Sequence, residues 1–231
     1  MYEVIIIRDG YCCQDGPGLM RAAGTITLIK GPQNLIVGTG SAWDTKLVLA
    51  GLEKHGVKPE KINYVVCCQG SSDIVGNVNL FTNAIHIVCY DVCSGDNYQL
   101  HQFEKGIPYE IDENVEVVPT PGHAGRDVSL IVRGTKNGTI AVTGDLFECF
   151  EDLEQPSIWQ ENSENPEEQE ANRIAVLQTA DFIVPGHGPM FKVPEKFRQH
   201  RQHVFYEECS MKSVDGKITE ASSYSVEDVT D

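Results

Sequence analysis

Four short apolar runs, each ending in a loop of small residues that carries a metal-type donor, constrain this chain more than any other feature. Tyr64-Val65-Val66-Cys67-Cys68 leads into Gln69-Gly70-Ser71-Ser72-Asp73, and Val117-Val118 leads into Thr120-Pro121-Gly122-His123. Ala141-Val142 leads into Thr143-Gly144-Asp145, and Ile183-Val184 into Pro185-Gly186-His187-Gly188. β-Branched runs of this length, bounded by Gly and Pro, read as buried strands. Strand ends on one rim of a layered α/β fold face the same way, so four such loops converge. Asp73, His123, Asp145 and His187 then make a donor set for a borderline divalent ion such as Zn²⁺ or Mn²⁺. Their order carries the reading. Taken singly, Asp73 is a turn former, Asp145 a cap, and the two histidines are ordinary loop residues.

The rest of the chain reads as α/β as well. Strands are expected over 2–8, 25–30, 34–37, 62–68, 85–89, 115–118, 127–132, 139–142 and 182–184. The spacing of Leu47, Leu49, Ala50 and Leu52 predicts a helix over 44–55, started by Ser41 or Asp44 and stopped by Gly56. A second helix is expected to start at Ser163, with Pro166 and Glu167-Glu168 behind it, and to run to about Thr179. Asn137-Gly138 reads as a tight hairpin turn that uses positive φ angles. Neither a repeat nor a linker divides the chain. Beyond about residue 206 it becomes Ser- and acid-rich, which predicts one domain over 1–205 and a flexible tail over 206–231.

Composition removes several function classes. A net charge of −16 argues against a nonspecific grip on nucleic acid or anionic membrane, although it leaves room for a local RNA site. The apolar run Val4-Ile5-Ile6-Ile7 is stopped by Arg8-Asp9, short of the ~7–15 residues of an export signal or the ~20 of a membrane helix. A soluble intracellular protein with reduced cysteines is therefore expected. Cys67, two residues before Gln69, is expected to share its strand face, and one thiolate there makes no site. Cys89 and Cys93 read as packed thiols. No cysteine has the context of a nucleophilic Cys-His pair, and Gly38-Thr39-Gly40 lacks the lysine of a nucleotide loop. His55, His86, His101, His200 and His203 show no donor-bearing context.

With its motifs in this order, the chain resembles the metallo-β-lactamase superfamily from residue 1 to about 195. Asp9-Gly10-Tyr11, Asp73-Ile74-Val75-Gly76-Asn77, Arg126-Asp127-Val128-Ser129, Gly144-Asp145-Leu146-Phe147-Glu148 and Val184-Pro185-Gly186-His187-Gly188-Pro189 carry the likeness. The resemblance implies a four-layer αββα sandwich with a two-metal site between its sheets. It further implies a zinc-dependent hydrolase, including an endoribonuclease of the histone pre-mRNA 3′-processing type. RNA or a small ester is the implied substrate, and a homodimer without membrane contact the implied assembly.

The chain departs from that pattern at the family's first motif, His-x-His-x-Asp-His. Anchored on Asp73 and Val75-Gly76-Asn77, the three histidines fall at Gln69, Ser71 and Ile74, and Gly38 stands where an orienting Asp is usual. The first metal position would keep only His123 and a share of Asp145. The second would keep Asp73, Asp145 and His187. At most one ion is expected, zinc first, with manganese or iron as alternatives. Hydrolysis is then weak or absent, and the alternative is a catalytically silent scaffold or dimer-forming binding protein.

Overall fold

A computed structural model describes residues 1–198. The expected tail, His200, His203 and the expected boundary at 205 lie outside the described residues. The chain opens with β1 (Glu3–Arg8), then a separate hairpin of β2 (Tyr11–Gln14) and β3 (Met20–Ala23). β4 (Ile26–Lys30), β5 (Leu35–Val37), helix α1 (Thr45–Lys54), β6 (Tyr64–Cys67), β7 (Ile85–Val88), β8 (Asp91–Ser94) and β9 (Asn97–Gln99) follow. The first sheet takes the order β1-β4-β5-β6-β7-β8-β9, parallel only where β5, β6 and β7 adjoin. The second half supplies β10 (Tyr109–Asp112), β11 (Val115–Pro119), β12 (Val128–Thr135), β13 (Gly138–Gly144), α2 (Ser157–Gln160), α3 (Pro166–Thr179), β14 (Phe182–Pro185) and β15 (Phe191–Lys192). Its sheet runs β10-β11-β12-β13-β14-β15, with β13 and β14 parallel. Helices α1 and α3 are the crossovers for the β5–β6 and β13–β14 pairs, and the segment 68–84, with a single 3-10 turn at Val78–Leu80, joins β6 to β7.

Strand alternation sorts the apolar side chains into three layers of packing. Val66, Leu130, Val132, Ile140, Val142 and Val184 meet between the two sheets. Their neighbours point outward: Val65 and Cys67 join Val48 and Leu52 of α1, while Ile131, Ala141 and Ile183 join Val176 and Leu177 of α3. This is the αββα sandwich. Each such side chain contributes roughly 1.5–3 kcal/mol when fully buried, so both helices are held by their apolar faces.

Several local expectations need correction. In α1 the buried pair is Val48 and Leu52, one turn apart, whereas Leu47, Leu49 and Ala50 are exposed. Gly51 lies so close to Ile7 that a Cβ would collide, which brings the helix onto β1. Asp44 occupies the cap position without capping; its carboxylate accepts from the Ser41 N–H and hydroxyl and pairs with Arg8 at 2.7 Å. The α3 cap is Asn165, which accepts from the Glu168 N–H, and not Ser163, whose hydroxyl donates to the Gly122 carbonyl. In the β12–β13 hairpin Thr135 pairs with Gly138 across Lys136-Asn137, and only Gly138 of the expected turn pair has positive φ (87°). The β2–β3 hairpin and strands β8, β9, β10 and β15 carried no signal strong enough to be anticipated.

Candidate metal centre

The loops after β6, β11, β13 and β14 deliver Asp73, His123, Asp145 and His187 to one rim. His187 lies at the middle. Its Nε2 is 3.1 Å from Asp73 Oδ2, and its Nδ1 is 2.8 Å from Glu148 Oε2 and 3.3 Å from Asp145 Oδ1. His123 approaches from the other side, with Nε2 3.6 Å from Asp145 Oδ2. Two glycines make the crowding possible. Gly144 turns the chain with φ 53°, and a Cβ on Gly186 would overlap the Asp145 carboxylate.

Glu148 is the residue that sequence reasoning missed. Its position three after Asp145 was the available signal. It is buried, its carbonyl accepts from the His187 N–H at 2.8 Å, and its own N–H donates to Asp152 Oδ2 at 2.7 Å. Arg173 of α3 holds Asp152 through bonds of 2.7 and 3.0 Å and also donates to the Leu146 carbonyl. Gln169, one turn earlier, donates to the Asp145 carbonyl at 3.0 Å. Helix α3 thus fixes the segment 145–152 that carries both acids.

The electrostatics centre on His187. Burial alone would depress its pKa, but hydrogen bonds to Asp73 and Glu148 and the charges of Asp145 and Glu148 push it up to about 11. The three carboxylates around it favour its imidazolium form, and ligation of a metal through the ring would first release a proton. The hydrogen bond from His187 lowers the Asp73 carboxyl. Burial raises Asp145 to about 7, with the neighbouring acids Glu148 and Asp73 adding to the rise and the two histidines opposing it.

Gln69, Ser71 and Ile74, expected to stand at the first-motif histidine positions, lie as follows. Gln69 accepts the Asp145 N–H at its Oε1, at 3.2 Å. Ser71 lies beside the Asp73 carboxylate. Ile74 is buried in the core under α1 and packs over Gly24 and Gly38. Cys67 does not share a face with Gln69. The strand ends at Cys67, whose thiol packs in the same outer core and donates to the Ile74 carbonyl at 3.8 Å.

The donors that remain fit one divalent ion. Ligand atoms of His123, Asp145 and Glu148 lie within 4.8 Å of one another. His123 Nδ1 is buried without a hydrogen-bond partner, and Asp145 Oδ1 has only its ion pair with His187, at 3.3 Å. Three carboxylates with the His123 ring make a mixed N and O donor set that suits zinc, manganese or iron.

No helix among the described residues is long and apolar enough to cross a membrane. No protein-family model matches the chain. It is 44% identical over 194 residues to metallo-beta-lactamase domain-containing protein 1 of Xenopus laevis, covering 83% of this chain and 82% of that protein. The human protein of the same name is 37% identical over 222 residues, with 83% and 82% covered. The solved structure of a quorum-quenching N-acyl homoserine lactone hydrolase superposes with a TM-score of 0.58 at 19% identity, covering 87% of this chain and 96% of that one. At that identity the likeness concerns the fold.

Proposed function

The chain belongs to the metallo-β-lactamase domain-containing protein 1 family, and from that premise we propose that it is a metal-dependent hydrolase reduced to a single divalent ion. Asp145 would hold the ion, zinc first, together with His123 and Glu148, with Asp73 and a deprotonated His187 beside them. The observation that carries this reading is the clustering of His123, Asp145 and Glu148, whose ligand atoms lie within 4.8 Å of one another. Bound there, a divalent ion supplies Lewis acidity to the carbonyl or phosphoryl oxygen of an ester. Glu148 at Nδ1 and Asp73 at Nε2 fix the His187 ring between them. Gln69 and Gln169 pin the Asp145 backbone from two sides.

The finer reading is an endoribonuclease of the histone pre-mRNA 3′-processing type, acting in cytoplasm or nucleus as a homodimer. A net charge of −16 then requires RNA to be held at the pocket and not by a basic surface. The second reading is a catalytically silent scaffold. It is favoured by Ile74, which has no donor atom, and by His187, whose imidazolium already offsets acidic charge without an ion. Elemental analysis of protein purified without added metal tests both. Near one equivalent that disappears in Asp145→Ala, with cleavage of a phosphodiester or lactone probe, supports the hydrolase. One equivalent without turnover leaves the silent scaffold, and no metal or two full equivalents overturns the single-ion site.

A further inference from the structure

Beside the metal centre lies a cavity that the ion site does not use. Its volume is about 440 Å³, within the range that takes a small organic molecule. Tyr90, Phe103, Glu104 and Glu168 line it, together with Pro121 and Gly125, which flank Gly122-His123-Ala124. The cavity therefore shares a wall with the loop that carries His123.

The elements around it are fixed by their own bonds. The turn from β7 into β8 presents Tyr90. In that turn Cys89 adopts φ 53°, the one non-glycine in the left-handed region among the described residues. The Tyr90 ring packs on buried Phe103, with centroids 5.1 Å apart. Asn172 of α3 donates to the Pro121 carbonyl at 2.7 Å. The Asn165 and Glu164 N–H groups donate to the Gly122 and His123 carbonyls at 2.9 and 3.1 Å. Loop 120–127 and the start of α3 are thus joined into one wall.

The lining has one sign of charge. Two aromatic rings and two carboxylates face this space, and among the described residues no lysine, arginine or histidine does. A third carboxylate, Glu164, reaches within 3.9 Å of where a Cβ on Gly125 would stand. A fourth, Asp127, ends the same loop; it is 2% exposed and its Oδ1 has no hydrogen-bond partner. Burial and the charges of Glu104, Glu168 and Asp127 push the Tyr90 hydroxyl up, against Arg126. Aromatic faces attract cations through the ring quadrupole, and a field of carboxylates repels phosphate. Hard metal ions want oxygen ligands all round, which ring faces cannot give. A weakly hydrated organic cation suits both surfaces.

We propose that the cavity between Tyr90, Phe103, Glu104 and Glu168 binds an organic ammonium group beside the metal centre. The site goes beyond the hydrolase reading and does not depend on it.

Calorimetric titration of the full chain in chelator tests this, with choline, its neutral isostere 3,3-dimethylbutanol and adenosine monophosphate as probes. Choline should bind at one equivalent, ~10-fold more tightly than the isostere, and more weakly as salt is added. Glu104 and Glu168 are exposed, so Glu104→Gln/Glu168→Gln should fold normally. That variant should bind choline ~10-fold more weakly and lose the preference over the isostere. Tyr90→Leu should weaken choline binding as well, whereas Tyr90→Phe should keep it, because the ring face and not the hydroxyl attracts the cation. Equal affinity for choline and the isostere would reduce the cavity to an apolar hole and overturn the proposal. Tighter binding of the nucleotide would overturn it in favour of a nucleotide site. Choline affinity unchanged in the double variant, or no choline binding at all, also overturns it.

Discussion

Replacing Arg173 by methionine should destabilise the protein by about 3–5 kcal/mol, because it strands a buried carboxylate. The Arg173 and Asp152 side chains are 4% and 0% exposed. The guanidinium makes a two-pronged bond to the carboxylate at 2.7 and 3.0 Å and lies 4.2 and 4.7 Å from the Phe147 and Trp159 ring centroids. In Arg173→Met the rings keep an apolar neighbour of similar length, but Asp152 keeps only the Glu148 N–H as a side-chain partner. In Arg173→Met/Asp152→Leu no charge is buried. What remains is an unpaired Glu148 N–H, worth about 1–3 kcal/mol. The double variant should therefore lose at least ~2 kcal/mol less than the two single losses combined. Urea unfolding of the four proteins measures this cycle. For a domain of this size the Arg173→Met loss corresponds to a Tm decrease of roughly 6–20 °C. A loss below about 1 kcal/mol, or strict additivity, would refute the claim that this pair anchors segment 145–152. Zinc affinity of a folded Arg173→Met protein should fall about 10–100-fold, since Glu148 loses the support that orients His187.

Two further outcomes follow from the same geometry. Burial raises Asp127 to about 7, against the Ala124 N–H that favours its charge, so its ionised form costs stability above pH 7 and that cost fades as pH falls toward 4. Asp127→Asn should be more stable than the parent by on the order of 2 kcal/mol at pH 8 and equal to it near pH 4; a pH-independent difference in denaturation midpoint would refute the assignment. Restoring histidine at Gln69, Ser71 and Ile74 together should allow a second ion to bind, measured by elemental analysis. The triple variant should also lose about 2–4 kcal/mol, because Ile74 leaves a core position under α1; a folded triple variant that takes no second ion would show that those positions are misplaced.

Nine of the strands and the four donor loops were legible because each is local. A β-branched run followed by Pro-Gly-His or Thr-Gly-Asp states both its conformation and its chemistry within about eight residues. α1 was legible as a helix but not in its face. Leu47 and Leu49 are as apolar as Leu52, and only packing against Ile36 and Val65 selects Val48 and Leu52. Glu148, Asp152 and Arg173 were not legible as parts of the site. Each acts through a partner distant in sequence, and sequence spacing does not report such pairings.

Two of the three positions that align with the first-motif histidines are used by the fold. Ile74 adds apolar area to the core under α1, and Gln69 gives its carbonyl oxygen to the Asp145 N–H. Hydrogen bonds to Asp73 and Glu148 and the charges of Asp145 and Glu148 favour the protonated form of His187. Structural zinc sites fold only with their metal because nothing else neutralises and links their ligands. Here His187, Arg173, Gln69 and Gln169 link the acidic segments within the chain itself, so thermal unfolding should be unchanged by a chelator, and a large drop in Tm would refute this account.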